Sequence, residues 1–205
     1  GPTPFSKDDV KVNGEVLSCD ELIKSLENSS KVLYAGAISN NMKNKLKKAS
    51  IKFFDVLNQE GVSILNAIPT AEGAISVAMN MTNFTIHKSN VLVMGYGSIG
   101  KILSKMLYGI GAKVYCEARN KKDIAFIEAM GYNSINLQEI NNYLGKMDII
   151  FNTIPSLILD KERLKLVKKE CAIIDLASSP GGVDFPAAKE LNLNTTWALA
   201  LPTKV

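Results

Sequence analysis

Gly95-Tyr96-Gly97-Ser98-Ile99-Gly100 restricts what this chain can fold into more than any other stretch. It follows a short apolar run, Val91–Met94, and it precedes Ile99, Ile102, Leu103, Met106, Leu107 and Ile110, which recur at helical spacing. A G-x-G-x-x-G placed between a buried strand and an amphipathic helix carries a mechanism. The first glycine permits a tight turn, the second lets backbone amides approach a pyrophosphate, and the third lets helix and strand pack closely. The helix amino terminus adds unpaired N–H donors and a partial positive charge. The stretch from Val91 to Asn120 therefore predicts the strand, turn and helix of a dinucleotide site, although the same glycines could serve as a plain connection.

The rest of the carboxyl-terminal half agrees. β-Branched runs at Val91–Met94, Val114–Cys116, Asp148–Asn152, Ala172–Leu176 and Thr195–Leu199 alternate with helical patterns, one of them Ile124, Ile127 and Met130 before Gly131. Such alternation is the signature of βαβ units around a parallel sheet. The expected fold is α/β, a Rossmann-type doubly wound parallel sheet at 85–205 preceded by a smaller, incomplete α/β unit at 1–84. In that first unit Ser18-Cys19-Asp20-Glu21 has capping-box spacing and starts a helix through Leu22, Ile23 and Leu26. Lys31–Ala35 and Ile51–Val56 read as strands around a Lys-rich helix. A crossing helix is expected to begin near Pro69-Thr70 and to run through Ala71–Met81.

Composition narrows the function classes. The 24 basic and 20 acidic residues are scattered, so nucleic acid is a poor match. Lys43, Lys45, Lys47 and Lys48 alternate with Met42, Leu46 and Ala49 as the wet side of an amphipathic helix does. No apolar run reaches the roughly 18 uninterrupted residues of a membrane span, so none is expected. Cys19, Cys116 and Cys171 form no C-x-x-C pair and no metal set, which points to a reduced, cytoplasmic setting.

The end of the strand after the glycine helix decides which dinucleotide is bound. Aligning Val114-Tyr115-Cys116-Glu117-Ala118-Arg119 puts Ala118 where NAD proteins carry a ribose-binding acid, with Arg119 and Asn120 following. A small residue leaves room for a 2′-phosphate and a guanidinium grips it bidentately, which favours NADP. A one-residue shift would instead make Glu117 the ribose acid and favour NAD. Gly95, Tyr96, Gly97, Ser98, Ile99 and Gly100 are the remaining candidates in the turn. Asn152, Thr153, Ile154 and Pro155, with Ala177, are expected to line the nicotinamide side at the carboxyl edge of the sheet. Substrate contacts are expected from Ser39 and Asn40 after a first-unit strand, from Thr70 and Glu72 at the start of the crossing helix, and from Ser178, in a cleft between the units. Thr70 would cap that helix and leave N–H groups for a carboxylate. His87, the only histidine, precedes the glycine strand and cannot be the histidine of a 2-hydroxyacid dehydrogenase; Ser178-Ser179 stand where that family has arginine. No catalytic base emerges.

Ile68-Pro69-Thr70-Ala71-Glu72-Gly73-Ala74, Thr85-Ile86-His87, the Gly95 turn, Ala118-Arg119, Asn152-Thr153-Ile154-Pro155-Ser156 and Asp175-Leu176-Ala177-Ser178-Ser179-Pro180-Gly181-Gly182-Val183-Asp184 together resemble the dipicolinate synthase A-subunit family over essentially the whole chain. The resemblance implies a cytoplasmic enzyme in the mother cell of a sporulating bacterium and oxidation of a dihydrodipicolinate-type intermediate to pyridine-2,6-dicarboxylate. It also implies a partner, the flavoprotein-like B subunit. A homo-oligomer is left open. The family usually has arginine where Ser98 stands, a contact that Lys101 could replace, and glycine where Thr203 stands. Against the family's extent the chain, opening Gly1-Pro2-Thr3-Pro4, is expected to be shortened at both ends. Two rivals remain: a non-catalytic nucleotide-binding module, and a reductase of the shikimate dehydrogenase or ornithine cyclodeaminase kind, which would need a catalytic lysine such as Lys11 or Lys204.

Overall fold

The computed structural model describes residues 9–12, 15–27, 31–36, 38–56, 59–199 and 201, and the chain divides into two compact units, Gly1–Leu65 and Asn66–Val205.

The first unit opens with an antiparallel hairpin, β1 (Asp9–Val12) and β2 (Glu15–Ser18), which the sequence did not announce. Helix α1 (Cys19–Glu27) starts on the expected capping box: the Ser18 hydroxyl accepts the Glu21 N–H at 3.2 Å, while the Glu21 carboxylate accepts the Ser18 N–H at 2.9 Å. Strands β3 (Leu33–Ala35) and β4 (Phe53–Asp55) pair in parallel, and α2 (Asn40–Lys48) connects them. Met42 and Leu46 face a small core with Cys19, Ile23, Ile38 and Ile51. The lysines take the opposite side of α2, where Lys43 pairs with Asp55 at 2.7 Å and Lys45 with Asp20 at 2.7 Å.

Helix α3 runs from Glu60 to Met81, so it begins well before Pro69-Thr70, where the sequence predicts its start. Pro69 lies inside it, and having no N–H it gives nothing to the carbonyl of Leu65. By length and mean composition this helix could cross a membrane, although Ser63, Asn66, Thr70 and Glu72 interrupt its apolar run. Ala71, Ala74, Ile75 and Ala78 are instead buried in the core of the second unit, recurring every third or fourth residue as one face of a helix must. That packing places residues from Asn66 onward in the second unit, where the sequence predicts a boundary at 84.

The second unit is built on six parallel strands: β5 (Asn90–Met94), β6 (Lys113–Glu117), β7 (Asn133–Ile135), β8 (Ile149–Asn152), β9 (Ala172–Asp175) and β10 (Asn194–Trp197). Their order, β10-β9-β8-β5-β6-β7, is that of a doubly wound dinucleotide fold. Each central strand feeds two cores by simple alternation. Val91, Val93, Ile149, Phe151 and Ile174 face α3, α4 (Ser98–Ile110) and α5 (Lys121–Ala129). Leu92, Met94, Ile150 and Ile173 face α6 (Asn141–Leu144), α7 (Lys161–Leu164) and α8 (Phe185–Glu190). The strand order reverses between β5 and β8, which stay parallel, and this switch point opens at the carboxyl ends of both strands.

Candidate functional site

Two positions show why glycines stand in the turn after β5. Gly95 has φ of 88°, and a Cβ there would lie 2.5 Å from Thr153 Oγ1. At Gly100 a Cβ would lie 2.0 Å from the Gly95 carbonyl oxygen, so α4 approaches the turn more closely than any side chain allows. Gly97 differs from both: its backbone conformation is ordinary extended, at φ −79° and ψ −164°, and a Cβ would meet nothing within 4 Å. The open space in front of Gly97 lies at the amino terminus of α4, whose first N–H groups have no partner within the helix. A pyrophosphate fits that space and that partial charge.

The turn forms one wall of a cavity of about 470 Å³ lined by Gly95, Tyr96, Gly97, Glu117, Ala118, Arg119, Asn120, Asp123, Ile154, Pro155 and Ser156. The structure thus brings the glycine turn, the end of β6 and the loop after β8 around one space at the switch point. Ser98 and Ile99 are half-buried in the first turn of α4, and Gly100 is buried behind them.

Several candidates also hold the elements around the site in place. The Asn120 side chain caps α5, accepting the Asp123 N–H at 2.8 Å and donating to the Asp123 carboxylate at 2.6 Å. Thr153 Oγ1 donates to the Met94 carbonyl at 2.9 Å and so ties the β8 loop to the end of β5. Asn152 is fully buried: its amide donates to Ile154 O at 3.0 Å and to Asp175 at 2.8 Å. Asp175, also fully buried, accepts further N–H bonds from Ala177 at 3.0 Å and Gly182 at 2.8 Å. The direct contact expected of Asn152 becomes a positioning role, because its whole amide is consumed in holding the β8 and β9 loops together. Ala177 is buried in that loop with its carbonyl taken by Trp197 Nε1 at 2.9 Å, and Ser178 is exposed; neither lines the cavity.

The Lys101 ammonium lies 3.4 Å from Asp123 and over the Tyr96 ring at 5.4 Å, two residues of the cavity wall. The cap expected of Thr70 is corrected. Thr70 sits mid-helix, is only 7% exposed and donates its hydroxyl to Asn66 O at 2.8 Å, so it caps nothing and frees no N–H groups. Glu72 is exposed on the same helix. In the first unit the Ser39 hydroxyl caps α2 by accepting the Met42 N–H at 3.2 Å, and Asn40 is exposed beside it. His87 is a surface residue whose Nδ1 lies 3.1 Å from Ile110 O at the end of α4. Ala37, Thr203 and Lys204, and the Lys11 side chain, lie outside the described residues.

Glu117 is the residue the sequence left as a mere alternative. It is 1% exposed, its Oε2 accepts the Gly95 N–H at 3.1 Å, and its Oε1 has no hydrogen-bond partner among the described residues. Burial pushes its carboxyl above the usual glutamate range, partly offset by that N–H and by Arg119. A buried acceptor with no donor, facing a ligand-sized cavity, is what a ribose hydroxyl would satisfy.

Residues 67–182 match the family described as D-isomer specific 2-hydroxyacid dehydrogenase, NAD binding domain. The chain is 33% identical over 200 residues to the dipicolinate synthase A subunit of Bacillus subtilis (strain 168), covering 98% of itself and 65% of that relative. It therefore spans about two thirds of the length of that curated relative. Crystal structures of the same subunit from Bacillus halodurans and from Bacillus subtilis superpose with TM-scores of 0.86 and 0.87, each at 31% identity. These alignments cover 97% and 99% of this chain and 69% of each structure. A transhydrogenase from Sinorhizobium meliloti, at 15% identity and TM-score 0.68 over 86% of this chain and 63% of that one, shares the fold.

Proposed function

The chain belongs to the dipicolinate synthase A-subunit family, with a dinucleotide unit of the D-isomer specific 2-hydroxyacid dehydrogenase type, and from that premise we propose that it is an NADP-dependent oxidoreductase subunit. Its reaction is the oxidation of a dihydrodipicolinate-type intermediate to pyridine-2,6-dicarboxylate during sporulation, in the cytoplasm of the mother cell and alongside a flavoprotein-like B subunit.

One observation carries the cofactor half of this reading. The glycine turn, the helix amino terminus and the end of β6 enclose one cavity at the switch point, with unfilled space at Gly97 and an unpaired acceptor at Glu117. Gly97 and the first amides of α4 would hold the pyrophosphate, Arg119 the 2′-phosphate, and Ile154, Pro155 and Ser156 the opposite wall. Bound nicotinamide supplies a two-electron acceptor. Such an acceptor would suit a dihydropyridine, whose aromatisation releases one hydride and one proton. The protein contributes alignment of the reacting carbons, which the Asn152–Asp175 network supports by fixing both loops at that edge of the sheet. Ser39, Asn40, Glu72 and Ser178 remain proposals for substrate contact; Thr70 keeps only a packing role.

Incubating the protein with NADP or NAD and the dihydropyridine intermediate, with and without its B subunit, tests the assignment. Formation of pyridine-2,6-dicarboxylate with stoichiometric reduction of the cofactor is expected. Tight dinucleotide binding with no product under any of these conditions would refute the catalytic assignment and favour a nucleotide-binding module.

A further inference from the structure

Arg119 and Glu117 present opposite charges to the same cavity, and they ask for different ligands. Arg119 is exposed at the rim, where a phosphate can be gripped without burying an unpaired cation. Glu117 is buried at the wall, with one oxygen fixed on the Gly95 N–H and the other unsatisfied. An ionised Glu117 suits a pair of ribose hydroxyls and opposes a 2′-phosphate, because two anions brought close together repel, the more so when one of them is buried. A neutral Glu117 removes that repulsion and leaves Arg119 in command.

We propose that Glu117 is a protonation-dependent selector between the two nicotinamide dinucleotides: neutral, it admits the 2′-phosphate to Arg119, and ionised, it takes the ribose hydroxyls and excludes the phosphate, so preference passes from NADP towards NAD as pH rises. This rests on the dinucleotide reading above.

The surroundings leave Glu117 free to play that part. On its own strand end, among the described residues, the only charged neighbour is Arg119, which favours the ionised form, whereas burial favours the neutral one. Among the described residues, β5 and β7, which flank β6, bring no ionisable side chain, since they read Asn-Val-Leu-Val-Met and Asn-Ser-Ile. From α5, Asp123 lines the cavity but is held by Asn120 and Lys101, and Lys101 of α4 is held by Asp123. Tyr96 in the turn stays neutral, its hydroxyl pushed up to about 12 by burial. Cys116, the preceding strand residue, is likewise raised to about 12 and bonded to Ser104. Burial and an unpartnered oxygen thus single out Glu117 as the cavity carboxyl whose neutral form is favoured over the usual glutamate range.

The sign of the pH effect makes the test decisive. A phosphate monoester gains its second charge near about pH 6, so a site governed by Arg119 alone binds NADP relatively more tightly as pH rises. Glu117 reverses that trend. Dissociation constants for NAD and NADP should be measured by calorimetry between about pH 5.5 and 8.5 for the wild type, Glu117→Gln and Arg119→Ala. Expected is a wild-type NADP preference that falls at least tenfold across the range, a Glu117→Gln preference that is flat or rising, and an Arg119→Ala variant with little preference for NADP at any pH. A wild-type preference that rises with pH, or runs parallel to that of Glu117→Gln, overturns the selector. Should Glu117→Gln fail to fold, the sign in the wild type decides by itself. Folded wild-type protein that binds neither cofactor overturns the dinucleotide reading and the selector together, whereas binding of both without the pH reversal overturns the selector alone.

Discussion

Replacing Gly97 by alanine separates what the glycine turn does for the fold from what it does for a ligand. In the free protein the added methyl meets nothing within 4 Å, and φ of −79° is open to any residue. As the residue capping α4, alanine is poorer than glycine by about 0.5–1 kcal/mol, a loss offset by about 0.4–1 kcal/mol of lowered unfolded-state entropy. The melting temperature should therefore stay within about 3 °C of the wild type. A bound pyrophosphate must occupy the space the methyl takes, and displacing a close-packed contact by one methyl costs about 1–3 kcal/mol. At about 1.4 kcal/mol per decade, dinucleotide affinity should fall roughly tenfold to a hundredfold. Gly100→Ala is the internal contrast, because its Cβ would lie 2.0 Å from a backbone oxygen and both partners are main chain. It should lose about 3 kcal/mol, or about 10 °C, before any ligand is added. Calorimetric titration with NAD and NADP, beside thermal melts of both variants, is the assay. Unchanged affinity in Gly97→Ala would refute the reasoning, and so would a loss of stability equal to that of Gly100→Ala.

Asp175→Asn turns an acceptor-only group towards three N–H donors, and leaving even one unpaired should cost about 3 kcal/mol in urea denaturation; a loss below about 1 kcal/mol would remove the network's claim to hold the loops. Gly111→Ala meets both a φ of 89° and the His87 ring, 2.3 Å from the added Cβ, so about 2 kcal/mol should be lost. Adding His87→Ala should restore only the steric share, and full recovery would show that the left-handed backbone costs nothing. Because burial raises the Glu117 carboxyl above 4.5, the neutral form stabilises the fold: that contribution is complete below 4.5 and is lost as pH rises through the folded-state value. Urea midpoints of Glu117→Gln relative to wild type should accordingly rise from about pH 5 to 8, and a constant or falling difference would contradict the sign.

Local chemistry was readable along the chain, and contacts made at a distance were not. Ser18 and Glu21 are three residues apart and cap α1 as their spacing demands; Met42 and Leu46 mark the buried side of α2 among its lysines. The Gly95 turn and five of the six central strands follow from β-branched runs that alternation and burial require. Strand β7 escaped because Asn133-Ser134-Ile135 is a three-residue edge strand with little apolar signal. Pro69 suggested a helix start, since proline suits a first turn, yet the helix already extends from Glu60 and tolerates it. At the site, the turn and Arg119 were legible, whereas the commitment of Asn152 to Asp175, of Lys101 to Asp123 and of Glu117 to Gly95 depends on which strands neighbour one another. Spacing in one dimension does not contain that information. Thr70 shows the same limit from the other side: a good cap residue by type spends its hydroxyl on Asn66 within a continuous helix.

The proline within α3 bears on how the protein melts. A continuous helix ordinarily couples the elements at its two ends, because each N–H to C=O bond depends on the turn beside it. Pro69 withholds a donor from the Leu65 carbonyl, and Leu65 is the last residue of the first compact unit. Cooperativity along the helix is weakest at that carbonyl. Amides from Ala71 to Met81, anchored through Ala71, Ala74 and Ala78, should thus exchange hydrogen with the β5–β10 sheet as one foldon, while the turns before Leu65 open on their own, faster clock.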